Sequence, residues 1–204
     1  YCGDSFQAIY EWRGAVDALE LVNVDETKWL TQSFRFGDSI AEIGNSYLKR
    51  LDAEVQIKGL KSRKSLVGIV RRPDAILCRT NFGAISSLIL SQEQGRKSAL
   101  MGNVKVSLEQ FAEGCRDLMY GRRTGHPDLA PFKNWNEALE WSQDEAASSM
   151  AGDVATLIQL VQNITVEQML KCLAAAVEEK DAEVVISTAH RAKGREWNSV
   201  RLAG

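Results

Sequence analysis

Three separated groups of side chains hold residue types suited to phosphate and base chemistry. The first is Gly3–Ala15, GDSFQAIYEWRGA, with Gln7, Tyr10, Trp12 and Arg13. An amide suits a phosphate oxygen or an attacking water, and aromatic rings beside an arginine suit stacked bases. Gln7, Tyr10 and Arg13 recur every third residue, which on a short helix or irregular turn points them in related directions. On spacing alone, a core or interface role is the commoner one for Tyr10 and Trp12. The second group is Leu30–Gly37, LTQSFRFG. It sets a ring (Phe34) and a cation (Arg35) at the end of an apolar run, the place where α/β proteins bind ligands. Taken alone, Arg35 fits a surface salt bridge better. The third is Ile186–Val200, ISTAHRAKGREWNSV, where Thr188, His190, Lys193 and Glu196 follow a buried run and Gly194 permits a tight turn. His190 also fits a structural loop histidine. A shorter group, Cys78–Asn81 (CRTN), offers Arg79 and Asn81, or simply a strand-end turn.

The elements that must position these groups can be read in order. Gly3 and Asp4 suggest a buried strand turning into a loop. Val16–Leu21 is expected as a short helix, and Trp29–Thr31 as a strand feeding QSFRFG. Ile40, Ile43, Tyr47 and Leu51 have near-helical spacing, so Gly37–Leu51 predicts an amphipathic helix. Lys58–Lys64 is a polar, basic loop whose better reading is a solvated face rather than a DNA contact. Pro73 and Asp74 turn the chain into Ala75–Thr80, which has the profile of a buried parallel strand. Ile85–Ser91 continues as a helix, and Ala99–Met101 is a strand stopped by Gly102-Asn103. Ser107 with Gln110 makes a capping box that opens a helix through Tyr120. After the loop Gly121–Pro131, Asn134 with Glu137 caps a second helix, and Ala155–Val161 suggests a third. Thr165 with Gln168 caps a fourth, whose apolar face is Met169, Leu170, Leu173, Ala174 and Val177. Val184–Ile186 and Asn198–Leu202 read as strands. Strand–helix alternation interrupted by helices implies an α/β domain with a mostly helical insertion.

Composition narrows the function classes. At 204 residues, 45% hydrophobic and 25% charged, the chain suits one soluble globular domain or two small ones. A net charge of -2 provides no global basic field. A local groove is left to Arg71-Arg72, Arg122-Arg123 and Arg191–Arg195. No apolar run approaches the roughly 20 residues of a membrane span. Without a basic-then-apolar leader, the expected compartment is cytoplasmic or nuclear. Cys2, Cys78, Cys115 and Cys172 are scattered and there are two histidines, so no zinc site is expected. The thiols are expected to be reduced and mostly buried.

GDSFQAIYEWRGA resembles motif III of the UvrD/Rep-type superfamily 1 DNA helicases, which runs close to GD-x-x-Q-x-IY-x-F/W-RGA. LTQSFRFG resembles motif IV of that family. There the arginine acts as a finger on the ATP γ-phosphate and the aromatic stacks on adenine, which implies those roles for Arg35 and Phe34. The family more often has Tyr where Phe34 stands. Such a finger can be worth about 10³–10⁵ in rate. ISTAHRAKGREWNSV resembles motif V, T-x-H-x-x-KG-x-E-W/F-x-x-V, with Arg195 replacing a usual leucine. The resemblance implies that Thr188 and His190 meet the single-strand backbone, that Lys193 and Gly194 lie by phosphates, and that Glu196 bonds the ATP ribose. CRTN resembles an additional motif in which Arg79 and Asn81 contact single-stranded DNA. Tyr10, Trp12 and Arg13 would line the DNA track, with Gln7 at the nucleotide. Within the family, LTQSFRFG and the short segment between Asn81 and Ile186 are closest to the F-box DNA helicase branch.

The resemblance implies a RecA-like parallel sheet with flanking helices. Neither a G-x-x-x-x-GK-S/T loop nor an acidic magnesium-binding pair upstream of Gly3 is present. The expectation is therefore a fragment without ATPase activity of its own. Residues 1–22 would connect from a first motor domain, and 23–102 would begin the second. Residues 103–180 would be the insertion, and 181–204 the return to the motor domain. ATP would bind with Mg²⁺ held by the absent half, and single-stranded and duplex DNA would be the partners. Closure on ATP would ratchet the strand past Tyr10 and Trp12, with unwinding 3′ to 5′ in DNA repair or recombination. Two other readings are a catalytically inactive protein-interaction module and the helicase subunit of a helicase–nuclease.

Overall fold

Short apolar runs that are too brief to be stable alone pair into one sheet. The coordinates are a computed structural model that describes residues 1–5, 16 and 21–203, and for 145–152 only the helical backbone. The strands are β1 (Ala75–Cys78), β2 (Ser98–Leu100), β3 (Val184–Thr188) and β4 (Val200–Leu202). Their order is β2-β3-β1-β4 and all pairs are parallel. β2 and β3 are buried throughout, as parallel strands covered on both faces must be. The chain is α/β, with a parallel sheet, flanking helices and a mostly helical insertion, an arrangement consistent with a RecA-like fold.

Two compact units divide the chain, 1–69 and 70–204. The first holds α1 (Asp38–Arg50). The second holds the sheet with α2 (Asn81–Glu93), α3 (Val104–Met119), α4 (Trp135–Ser142), α5 (Glu145–Ile164) and α6 (Val166–Ala174). Ile85 and Leu88 of α2, Leu108 and Phe111 of α3, Ile158 and Val161 of α5, and Met169 and Leu173 of α6 join Ile76 and Ile186 in one core.

Arg96 closes the amino edge of this sheet. Its side chain is buried, and Nη2 donates to Pro73 O at 2.9 Å and Glu183 O at 2.7 Å. Those carbonyls lie before β1 and β3, so the guanidinium ties the entries of neighbouring strands. Burial lowers its pKa, the direction expected when a cation is desolvated.

Several local expectations hold. Asn134 accepts from Glu137 N–H at 3.0 Å and Thr165 accepts from Gln168 N–H at 3.3 Å. Others are corrected. Trp29–Thr31 forms no strand. Only an isolated bridge, Gln32 to Lys58, occurs there, because the next bond, from Leu60 N–H to Phe36 O, falls out of ladder register. Residues 1–5 form no strand and are exposed. Their backbone joins no ladder, and a buried strand needs a paired neighbour. Ser107 does not open α3. That helix starts at Val104 behind Asn103, since burial of Val104, Leu108 and Phe111 on one face favours an earlier start. α2 starts at Asn81 and α5 at Glu145, both earlier than their apolar periodicity indicates. The expected helix 16–21 lies for the most part outside the described residues.

Candidate nucleotide and nucleic-acid site

Phe34 and Arg35 stand in a bend that the loop 57–65 braces. Both are exposed, Phe34 at 72%. The loop 57–65 braces the bend through its backbone. Ser33 N–H donates to Lys58 O and Lys58 N–H to Thr31 O, both at 2.8 Å. Leu60 N–H donates to Phe36 O and Gly37 N–H to Ser65 Oγ, also at 2.8 Å. The Gln32 side chain adds a bond to Gly59 O at 2.9 Å. Asn45 of α1 pins the loop's start by exchanging two bonds with the Ile57 backbone, at 2.9 and 2.8 Å.

Two glycines allow the crossing. A Cβ on Gly59 would lie 2.2 Å from Gly37 C and 2.3 Å from Asp38 N, and a Cβ on Gly37 would lie 2.0 Å from Arg63 O. A cavity of about 550 Å³ beside the brace is lined by Gln32, Asp38, Glu42, Asn45, Lys58 and Lys61, among others, and not by Phe34 or Arg35.

In the second unit, two motifs meet at the carboxyl edge of the sheet. β1 and β3 are neighbours in register, with Cys78 opposite Thr188. Ala189 N–H donates to Cys78 O at 2.9 Å just beyond the paired residues. Arg79-Thr80-Asn81 and Thr188-Ala189-His190 therefore leave adjacent strands side by side. Thr80 caps α2 by accepting from Gly83 N–H at 3.1 Å. Asp153 of α5 accepts from Asn81 N–H at 3.1 Å and Phe82 N–H at 2.9 Å.

The chain after β3 folds into a turn in which Thr188 O accepts from Arg191 and Ala192 N–H at 3.0 and 3.1 Å. Gly194 has φ +85, so the expected tight turn does need glycine. Arg79, His190, Lys193 and Glu196 are exposed and Thr188 is buried. Arg195, the departure from the motif V pattern, pairs with Glu179 in the short 3₁₀ turn before β3. The extra cation is thus matched by a local carboxylate.

Two thiols, Cys78 and Cys115, are buried. Burial raises the Cys78 pKa and pushes Cys115 up to about 12, which keeps both protonated and poorly nucleophilic.

No protein-family model matches the chain. It is 28% identical to F-box DNA helicase protein 1 of Schizosaccharomyces pombe, covering 98% of this chain and 25% of that protein. It is 26% identical to F-box DNA helicase 1 of Gallus gallus, covering 98% of this chain and 21% of that protein. The likeness supports a helicase-family relation. The chain spans about a quarter of the length of these curated relatives.

Of the candidate residues, the structure brings Arg79, Asn81, Thr188, His190 and Lys193 to one sheet edge, with Gly194 and Glu196 following on the same segment. Phe34 and Arg35 belong to the other unit. Gln7, Tyr10, Trp12 and Arg13 lie outside the described residues. The sequence reading missed Asp153 and the bracing role of loop 57–65. Gly59 inside a basic loop was the one local signal for the brace. Asp153 has none, since its partners are more than seventy positions away.

Proposed function

We propose that this chain is one part of an ATP-dependent DNA helicase, the second RecA-like motor domain with a connector from the first. It translocates on single-stranded DNA 3′ to 5′, a polarity drawn from the UvrD/Rep likeness, and unwinds duplex DNA in repair or recombination. The observation that carries this reading is the adjacency of β1 and β3, which gathers the CRTN and motif V-like groups at one edge. Such an edge is where α/β sheets bind ligands. Arg79, Asn81, Thr188, His190 and Lys193 then hold the strand's backbone, while Tyr10, Trp12 and Arg13 stack and pair with it. Stacking at about 1–3 kcal/mol per base suits a sequence-blind step.

Arg35 is assigned to the γ-phosphate and Phe34 to adenine. Gln7 orients the attacking water, and Gly194 and Glu196 hold the nucleotide. Among the described residues no three His, Cys, Asp or Glu side chains gather as metal ligands. The described residues do not fit a magnesium site. No helix among the described residues is long and apolar enough to cross a membrane. A cytoplasmic or nuclear location is part of the proposal.

In the full-length protein, Arg35→Ala should abolish ATP hydrolysis and spare most DNA binding. Normal turnover by this variant would reject the finger role. Trp12→Ala should weaken single-strand binding, and an unchanged affinity at matched salt would remove the stacking role.

A further inference from the structure

We propose that Asp153 is a positioning residue for the nucleic-acid strip, holding Arg79 and Asn81 in place from the helical insertion. This rests on the reading above that those two residues contact single-stranded DNA. The first N–H groups of a helix have no partner within it and carry partial positive charge. In α2 the Thr80 cap covers Gly83 N–H only. Asp153 covers two more with its two oxygens, Oδ2 on Asn81 N–H at 3.1 Å and Oδ1 on Phe82 N–H at 2.9 Å.

A two-point grip fixes both the position and the rotation of that first turn, and Arg79 stands one residue ahead of the cap. The grip is itself anchored. Leu157, Ile158 and Val161 bury α5 in the core that holds Ile85 and Leu88 of α2, and Gln159 Nε2 ties α5 to Ser142 O at 2.6 Å. The insertion thereby sets the aim of the strip without touching DNA.

Electrostatics makes the proposal decidable by sign. A carboxylate beside a phosphate-binding strip repels DNA if it does nothing else, so its removal would raise affinity. A carboxylate that positions the strip must lower affinity on removal. The test uses the full-length protein and a fluorescent oligothymidylate, with anisotropy titrations at several salt concentrations.

Asp153→Ala should weaken binding about five-fold, the equivalent of one net hydrogen bond. Asp153→Asn, which keeps one acceptor oxygen, should fall between Asp153→Ala and the native protein, and it carries the test if the alanine variant does not fold. Arg79→Ala should weaken binding, and the double variant Arg79→Ala with Asp153→Ala should lose less than the two single losses combined, since part of the Asp153 effect acts through Arg79 and the rest through Asn81. Equal or tighter binding by Asp153→Asn, or additive losses in the double variant, would overturn the positioning role. Arg79→Ala binding like the native protein would instead remove the strip, and this inference with it.

Discussion

Replacing Gly59 by alanine tests whether loop 57–65 holds the Phe34–Arg35 bend. The new Cβ would sit 2.2 Å from Gly37 C, 2.3 Å from Asp38 N and 2.5 Å from Gly37 O. All three are backbone atoms, so no side-chain rotation relieves the clash. Carbon atoms in contact keep about 3.5 Å apart, so the Gly37–Asp38 peptide must retreat by more than about 1 Å. Overpacking of this kind costs about 1–3 kcal/mol, and the reduced entropy of the unfolded chain returns about 0.4–1. The retreat also strains the bonds from Leu60 N–H to Phe36 O and from Gly37 N–H to Ser65 Oγ, each worth about 1 kcal/mol. A net loss of about 2 kcal/mol is expected, roughly a 30-fold rise in the open population. Hydrogen exchange at the amides of Ser33, Gly37, Lys58 and Leu60 should quicken by about that factor. ATP turnover by the full-length protein should fall at least about ten-fold, since a misplacement near 1 Å can cost about 100-fold. Gly68→Ala is the control, because a Cβ there meets nothing within 4 Å. If Gly59→Ala exchanged and turned over like Gly68→Ala, the crossing would not be a brace.

Two further outcomes concern the second unit. Gly114→Ala in α3 should destabilise by about 1 kcal/mol, although alanine is the better helix former. The added Cβ would lie 2.8 Å from Thr124 Oγ1 and 2.9 Å from Leu129 Cδ1, and a lowered thermal midpoint checks it. His126 packs edge-on against Phe111, and burial lowers its pKa from 6.5 despite the nearby Asp128 carboxylate. The unfolded chain then takes up the proton more readily, so stability should decline as pH falls below about 6.5 and level off below the folded value. His126→Gln should flatten that part of the profile in denaturation midpoints measured from pH 7.5 to 5.

What could be read along the chain was local. Alternation of short apolar runs with helical periodicity named the fold class, because each run's pattern reflects which face it buries. The Asn134 and Thr165 caps were legible for the same reason, as each acts on an amide three residues on. Helix starts were misjudged at Asn81 and Glu145, since the residues ahead of the apolar stripe carry little periodicity to mark them.

The residue types at the candidate positions, Arg35, Arg79, Asn81, Thr188 and His190, were determined by the sequence itself, and so was the chemistry such side chains can do. That β3 lies between β1 and β2, so that Thr188 faces Cys78 across 110 positions, was decided only by the fold. So were the carboxylate of Asp153 on α2 and the backbone crossing of Gly37 with Gly59. Each of these is a contact between distant segments, and the strength of such a contact depends on which surfaces meet, which no local pattern of residues encodes.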